Sequence, residues 1–89
     1  MMKIGMLWFD DDPKRPVAEK VTRAAQRYRE KYGVLPNMCY ANPGTLAEGQ
    51  DGLTLNLQTL GTGKGAPHVT LKQARSVLPN HFWLGVSEQ

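Results

Sequence analysis

Cysteine is almost missing from this chain of 89 residues, and the single Cys39 can close no internal disulfide and has no Cys-x-x-Cys partner. A disulfide-stapled scaffold and a paired-thiolate zinc site are excluded by that count. Long hydrophobic runs are missing too. The apolar stretch Ile4 to Phe9 is cut short by Asp10-Asp11-Asp12, well below the roughly 20 residues of a membrane span and too short for the apolar region of a secretory signal. These absences predict a cytoplasmic protein with no membrane association. There is no internal repeat, no low-complexity tract and no linker, and a hydrophobic share of 40% argues against a disordered chain. A chain of this length buries roughly 60–65% of its unfolded surface. That is enough for one core, so residues 1–89 are expected to form a single small domain.

The formal charge is +3, and it is concentrated. Residues 13–32 hold Lys14, Arg15, Lys20, Arg23, Arg27, Arg29 and Lys31 against Glu19 and Glu30, a net +5. The three aspartates at 10–12 outweigh Lys3, and the chain after position 32 is neutral. The basic stretch also carries the clearest periodicity. Val17, Val21, Ala24, Ala25, Tyr28 and Tyr32 recur as one face of a 3.6-residue helix, which predicts a helix over about 16–32. Pro16 suits its first position and Gly33 a left-handed exit. On this projection Lys20, Arg23, Arg27 and Lys31 line one flank as a basic ridge facing solvent.

Strand signals flank the helix. Lys3 to Phe9 is apolar at nearly every position and reads as a central strand covered on both faces. Leu35 to Ala41 offers a second short run, closed by the turn residues Asn42-Pro43-Gly44. Strand, helix and strand predict a right-handed βαβ unit with parallel strands. Leu53, Leu55 and Leu57 alternate with polar residues after an Asp51-Gly52 turn, and His81 to Val86 closes the chain as a strand after Pro79-Asn80. Residues 68–78 fit either state; a strand near 68–72 followed by an irregular turn is the preferred reading. The expected fold is α/β, bordering on α+β: a βαβ unit followed by two or three antiparallel strands, with one main helix packed on a sheet of about four strands.

Asp10, Asp11 and Asp12 stand where a strand ends, a place from which carboxylates can hold Mg²⁺. Met6-Leu7-Trp8-Phe9-Asp10-Asp11-Asp12-Pro13 resembles the first strand and acidic pair of response-regulator receiver domains. The resemblance implies Asp10 and Asp11 as ligands of a Mg²⁺ used for aspartyl phosphorylation. It covers about thirty residues and stops there. No later strand end supplies an aspartate to accept phosphate, no lysine stands in the expected late position, and 89 residues cannot hold five βα units. The simpler reading is that the aspartates end the strand and place negative charge near the positive end of the helix dipole.

Other motifs fall short of a chemistry. Gly61-Thr62-Gly63-Lys64-Gly65 has glycines and a lysine for an anion, but Gln58 stands where a Walker A glycine belongs and Gly65 where Ser or Thr belongs, so it reads as a flexible loop. Cys39, His68 and His81 are scattered, and Cys39 sits among apolar neighbours as a small inert hydrophobe. His81 and Trp83 share one face of their strand, Phe82 and Leu84 the other. With the basic ridge, the aromatic rings supply the ingredients of a nucleic-acid site, though most rings in so small a domain must be core.

The function expected from these residues is a non-enzymatic binding module, with no cofactor, whose Lys20, Arg23, Arg27 and Lys31 contact nucleic acid or an acidic protein. Two alternatives stand beside it. One is a Mg²⁺-dependent phosphoryl-transfer or hydrolytic enzyme using Asp10, Asp11 and Asp12, with His81 as base. The other is a structural protein that self-associates through a sheet edge.

Overall fold

The computed structural model describes residues 2–46, 52–57 and 68–87. Its elements in chain order are β1 (Met2–Phe9), α1 (Val17–Tyr32), β2 (Met38–Ala41), β3 (Thr54–Asn56), β4 (His68–Gln73) and β5 (His81–Ser87). The strands form one mixed sheet in the order β1-β5-β2-β4-β3, with α1 packed on one face. This is the small α/β architecture that the residue pattern predicts, with five strands rather than about four.

The helix forms where the apolar period lies. Pro16, in extended conformation, caps its start without a side-chain bond, and Gly33 ends it at φ 82° with its amide bonded to the Arg29 carbonyl at 2.7 Å. The proline thus stands one place before the helix rather than in its first turn. Val21, Ala24, Ala25 and Tyr28 form the buried stripe and meet Cys39, Ala41, Val69, Leu71, Phe82 and Leu84 from the sheet.

The strands β1 and β2 run in the same direction, as a βαβ unit requires, with β5 lying between them, antiparallel to both. The hydrogen-bonded parallel pair is β2 with β4. One expectation about the sheet is corrected: β1 is an edge strand, not a central one. Its apolar run does not mean cover on both faces: among the described residues the helix α1 shields one face of the sheet and nothing shields the other. On the helix side Met6 and Trp8 pack against the core. On the other side Leu7 and Phe9 are 56% and 55% exposed.

Residues 68–78 resolve as the strand β4 followed by turns, as preferred. The Asn42-Pro43-Gly44 turn fastens this connection. The Asn42 carboxamide donates to the Val77 carbonyl at 3.0 Å, and the Thr45 hydroxyl accepts from the Asn80 amide at 2.9 Å. Asn80 itself takes φ 63°, a left-handed value asparagine tolerates, and so breaks the chain just before β5. Leu55 faces the core and Leu57, just past β3, is buried, whereas Leu53 stays 40% exposed. Asp51 and the Gly61 to Pro67 loop, together with Gln58, lie outside the described residues.

Candidate interaction surfaces

The acidic turn after β1 closes on itself and on Arg15. Asp10 Oδ1 accepts the Asp12 amide at 3.0 Å, and Asp10 Oδ2 accepts an Arg15 Nη1 hydrogen bond at 2.8 Å. Arg15 also meets Glu19 at 2.9 Å and Asp12 at 3.5 Å, while Asp12 accepts the Lys14 amide at 2.9 Å. Burial pushes the Asp10 carboxyl up, but the Arg15 and Asp12 hydrogen bonds, with the charges of Arg15 and Lys20, outweigh it and hold the group below its ordinary 3.8. Asp10, Asp12 and Glu19 are therefore arranged around a guanidinium, and Asp11 points to solvent. Among the described residues no three His, Cys, Asp or Glu side chains gather as a metal centre requires. Asp10 and Asp12 thus belong to an ion-paired turn centred on Arg15, with Asp11 outside it.

The basic flank survives with one member removed. Lys20 is only 8% exposed, not on a solvent ridge. It lies one turn before the fully buried Ala24, so its apolar stem is covered, and its charge reaches Asp10. Arg23, Arg27 and Lys31 remain exposed. Arg23 stands 3.6 Å from Glu19 and Arg27 3.1 Å from Glu30, while the Lys31 ammonium lies 5.2 Å from the centre of the Tyr32 ring. Such exposed pairs contribute about 0–1 kcal/mol each and are easily exchanged for another partner. Between this flank and β1 runs a shallow groove of about 270 Å³ lined by Trp8, Arg23, Gln26, Arg27 and Glu30. The basic side of α1 therefore stands over the sheet's β1 edge.

The opposite face of the sheet carries no layer among the described residues. Register places Leu7, Trp83, Tyr40 and Lys72 in one row across it, and Phe9 opposite His81 in the next. The Phe9 and His81 rings lie 4.9 Å apart. A cavity of about 320 Å³ opens between Leu7, Trp83, His81 and the Ser76 to Leu78 turn. Leu78 is 65% exposed and Trp83 36%. The alternation in β5 matches the reading of its sequence: Phe82 and Leu84 are fully buried, Trp83 is not.

Trp8 lines the groove beside Arg23 and Arg27, but Phe9, Tyr40 and Trp83 face the other way and form no stacking surface with the basic flank. Nor do Cys39 and the histidines meet. Cys39 points into the core, where burial raises its thiol to about 12, whereas His68 and His81 sit at register positions of the open face.

The open face and the β1 edge were not found from the residues. One signal was present: a single amphipathic segment cannot cover both faces of a sheet. The chain matches no protein-family model, no curated protein and no solved structure. Among the described residues no helix is long and apolar enough to cross a membrane.

Proposed function

We propose that the protein is a non-enzymatic interaction module that recognises an acidic polypeptide through the basic flank of α1. The observation that carries this reading is the placing of Arg23 and Arg27, both exposed, in a groove that ends on β1, with the exposed Lys31 one turn beyond Arg27. A polypeptide suits the surface better than nucleic acid for two reasons. Stacking of successive bases needs several rings next to the cations, and while Trp8 lines the groove, Phe9, Tyr40 and Trp83 lie on the other face of the sheet. Glu19 and Glu30 are interleaved with the arginines and would repel a continuous phosphate backbone.

The test is an amide-shift titration of labelled protein with an acidic peptide and with single- and double-stranded oligonucleotides, at low and near-physiological salt. Shifts over 20–31 with the peptide that weaken with salt support the reading. Stronger shifts from an oligonucleotide would make nucleic acid the partner, and none at low salt would end the proposal.

A second reading concerns the open sheet face. Leu7, Phe9, Leu78 and Trp83 form an apolar patch of the kind that marks a contact surface. A second copy fits it, because the basic segment lies on the other side of the sheet and two copies meeting there keep their excess charge apart. Sedimentation at two concentrations, with Leu78→Glu as comparison, tests it: concentration dependence abolished by the substitution supports self-association, and a monomer throughout refutes it.

A further inference from the structure

We propose that the free edge of β1 binds an extended segment of an acidic partner by strand addition, and that this segment alternates acidic with apolar side chains. The inference rests on the acidic-partner reading above and adds its geometry.

Register decides which backbone groups face outward. The Asp10 amide bonds to the Asn80 carbonyl at 2.9 Å, so Asp10 and Asn80 are a hydrogen-bonded antiparallel pair. Such pairs alternate along the ladder. Trp8 with Phe82 and Met6 with Leu84 are then bonded pairs, and the N–H and C=O groups of Phe9, Leu7 and Gly5 point away from β5. The Gly5 carbonyl accepts the Tyr32 hydroxyl at 3.4 Å. Among the described residues, the N–H and C=O of Leu7 and Phe9 have no partner. From Gly5 to Phe9 the edge carries no charge and no proline, the devices that usually protect an exposed strand.

The flanks of that edge set the occupant. An added strand would lie about 4.8 Å from β1 and turn alternate side chains to the two faces. On one face they meet the groove of Trp8, Arg23, Gln26, Arg27 and Glu30, whose two guanidinium groups outnumber its one carboxylate and so favour carboxylates spaced along the added strand. On the other they meet the exposed Leu7 and Phe9 side chains, which favour apolar groups. A second copy is the poorer occupant, because edge pairing about a two-fold axis would bring its own Arg23 and Arg27 alongside. The opposite sheet edge, β3, offers only three residues.

The probe is an acetylated, amidated seven-residue peptide of alternating valine and glutamate, compared with a peptide of the same composition whose glutamates form one block. The expected result is slowed exchange of the Leu7 and Phe9 amides with the alternating peptide and at least tenfold weaker binding of the blocked one. Arg23→Ala with Arg27→Ala should weaken the alternating peptide at least tenfold and flatten its salt dependence. Leu7→Pro removes one outward N–H and leaves the β5 ladder intact, so it should abolish the exchange effect. If that variant does not fold, exchange in the unaltered protein decides the matter. Equal binding of both peptides without protection at Leu7 and Phe9 overturns strand addition and leaves the acidic-partner reading standing. Failure of every acidic peptide at low salt overturns both. Protection of Leu7 and Phe9 in the free protein at high concentration, with dimeric sedimentation, would assign the edge to a second copy and overturn the proposal.

Discussion

The indole of Trp83 lies over Gly5, in the volume that a side chain at position 5 would occupy. Trp83 pairs directly with Leu7, so its ring reaches diagonally across the antiparallel ladder to the next residue on the same face. A glycine weakens a strand by leaving nothing to pack, and a cross-strand aromatic ring restores that contact. The two residues therefore form one packing unit on the open face.

Gly5→Ala should destabilise the fold by about 1–3 kcal/mol, the usual range for forcing extra bulk into a filled site. In a Trp83→Ala background the same substitution should cost far less. Urea denaturation of the four proteins of this cycle measures the coupling. Additive losses would show that the ring does not depend on the glycine.

Asp10 predicts an acid limb. Its folded-state value is held below 3.8, so the Arg15 pairing contributes stability that is present above that value and is lost as pH falls through the lower folded value. Thermal midpoints between pH 6 and pH 2 should fall more steeply in the unaltered protein than in Asp10→Asn. Parallel curves would contradict the assignment.

Cys39 predicts an alkaline limb of opposite sign. Its thiol rises from 9.0 to about 12 in the folded protein, so stability is unaffected below pH 9 and declines above it as the unfolded chain ionises first. The same burial keeps the thiol from reagents. Modification by a thiol reagent at pH 8 should be slow in native protein and rapid in denaturant; rapid native modification would show the core opening at β2.

Gly33 isolates a backbone effect. An added Cβ there meets nothing within 4 Å, yet φ is 82°. Gly33→Ala should therefore cost about 1 kcal/mol from conformation alone. A chemical-denaturation midpoint that does not move would mean the helix end rearranges.

Periodicity and punctuation made α1 legible, because Pro16, Gly33 and the Val17 to Tyr32 stripe agree with one another. The strands near 38, 55, 70 and 83 were legible for the same reason. Topology was not. Whether β1 pairs with β2 or β5 depends on partners that, in β5, lie more than seventy residues away, and no local pattern distinguishes a two-sided core strand from an edge strand with an exposed apolar face. Leu7 and Phe9 read alike in both. The basic flank was visible as a projection, but the fate of Lys20 turned on the neighbouring sheet, and the grouping of Asp10 with Arg15 turned on the shape of a turn.

The insertion of β5 between β1 and β2 sets an order on the birth of the molecule. During synthesis the first strand, the helix and the second strand emerge with a gap between the two strands that nothing yet fills. Residues 81–87 must leave the ribosome before β1 acquires its neighbour. Until then β1 has two open edges and an apolar sequence, so the nascent chain has most need of a chaperone just before β5 appears.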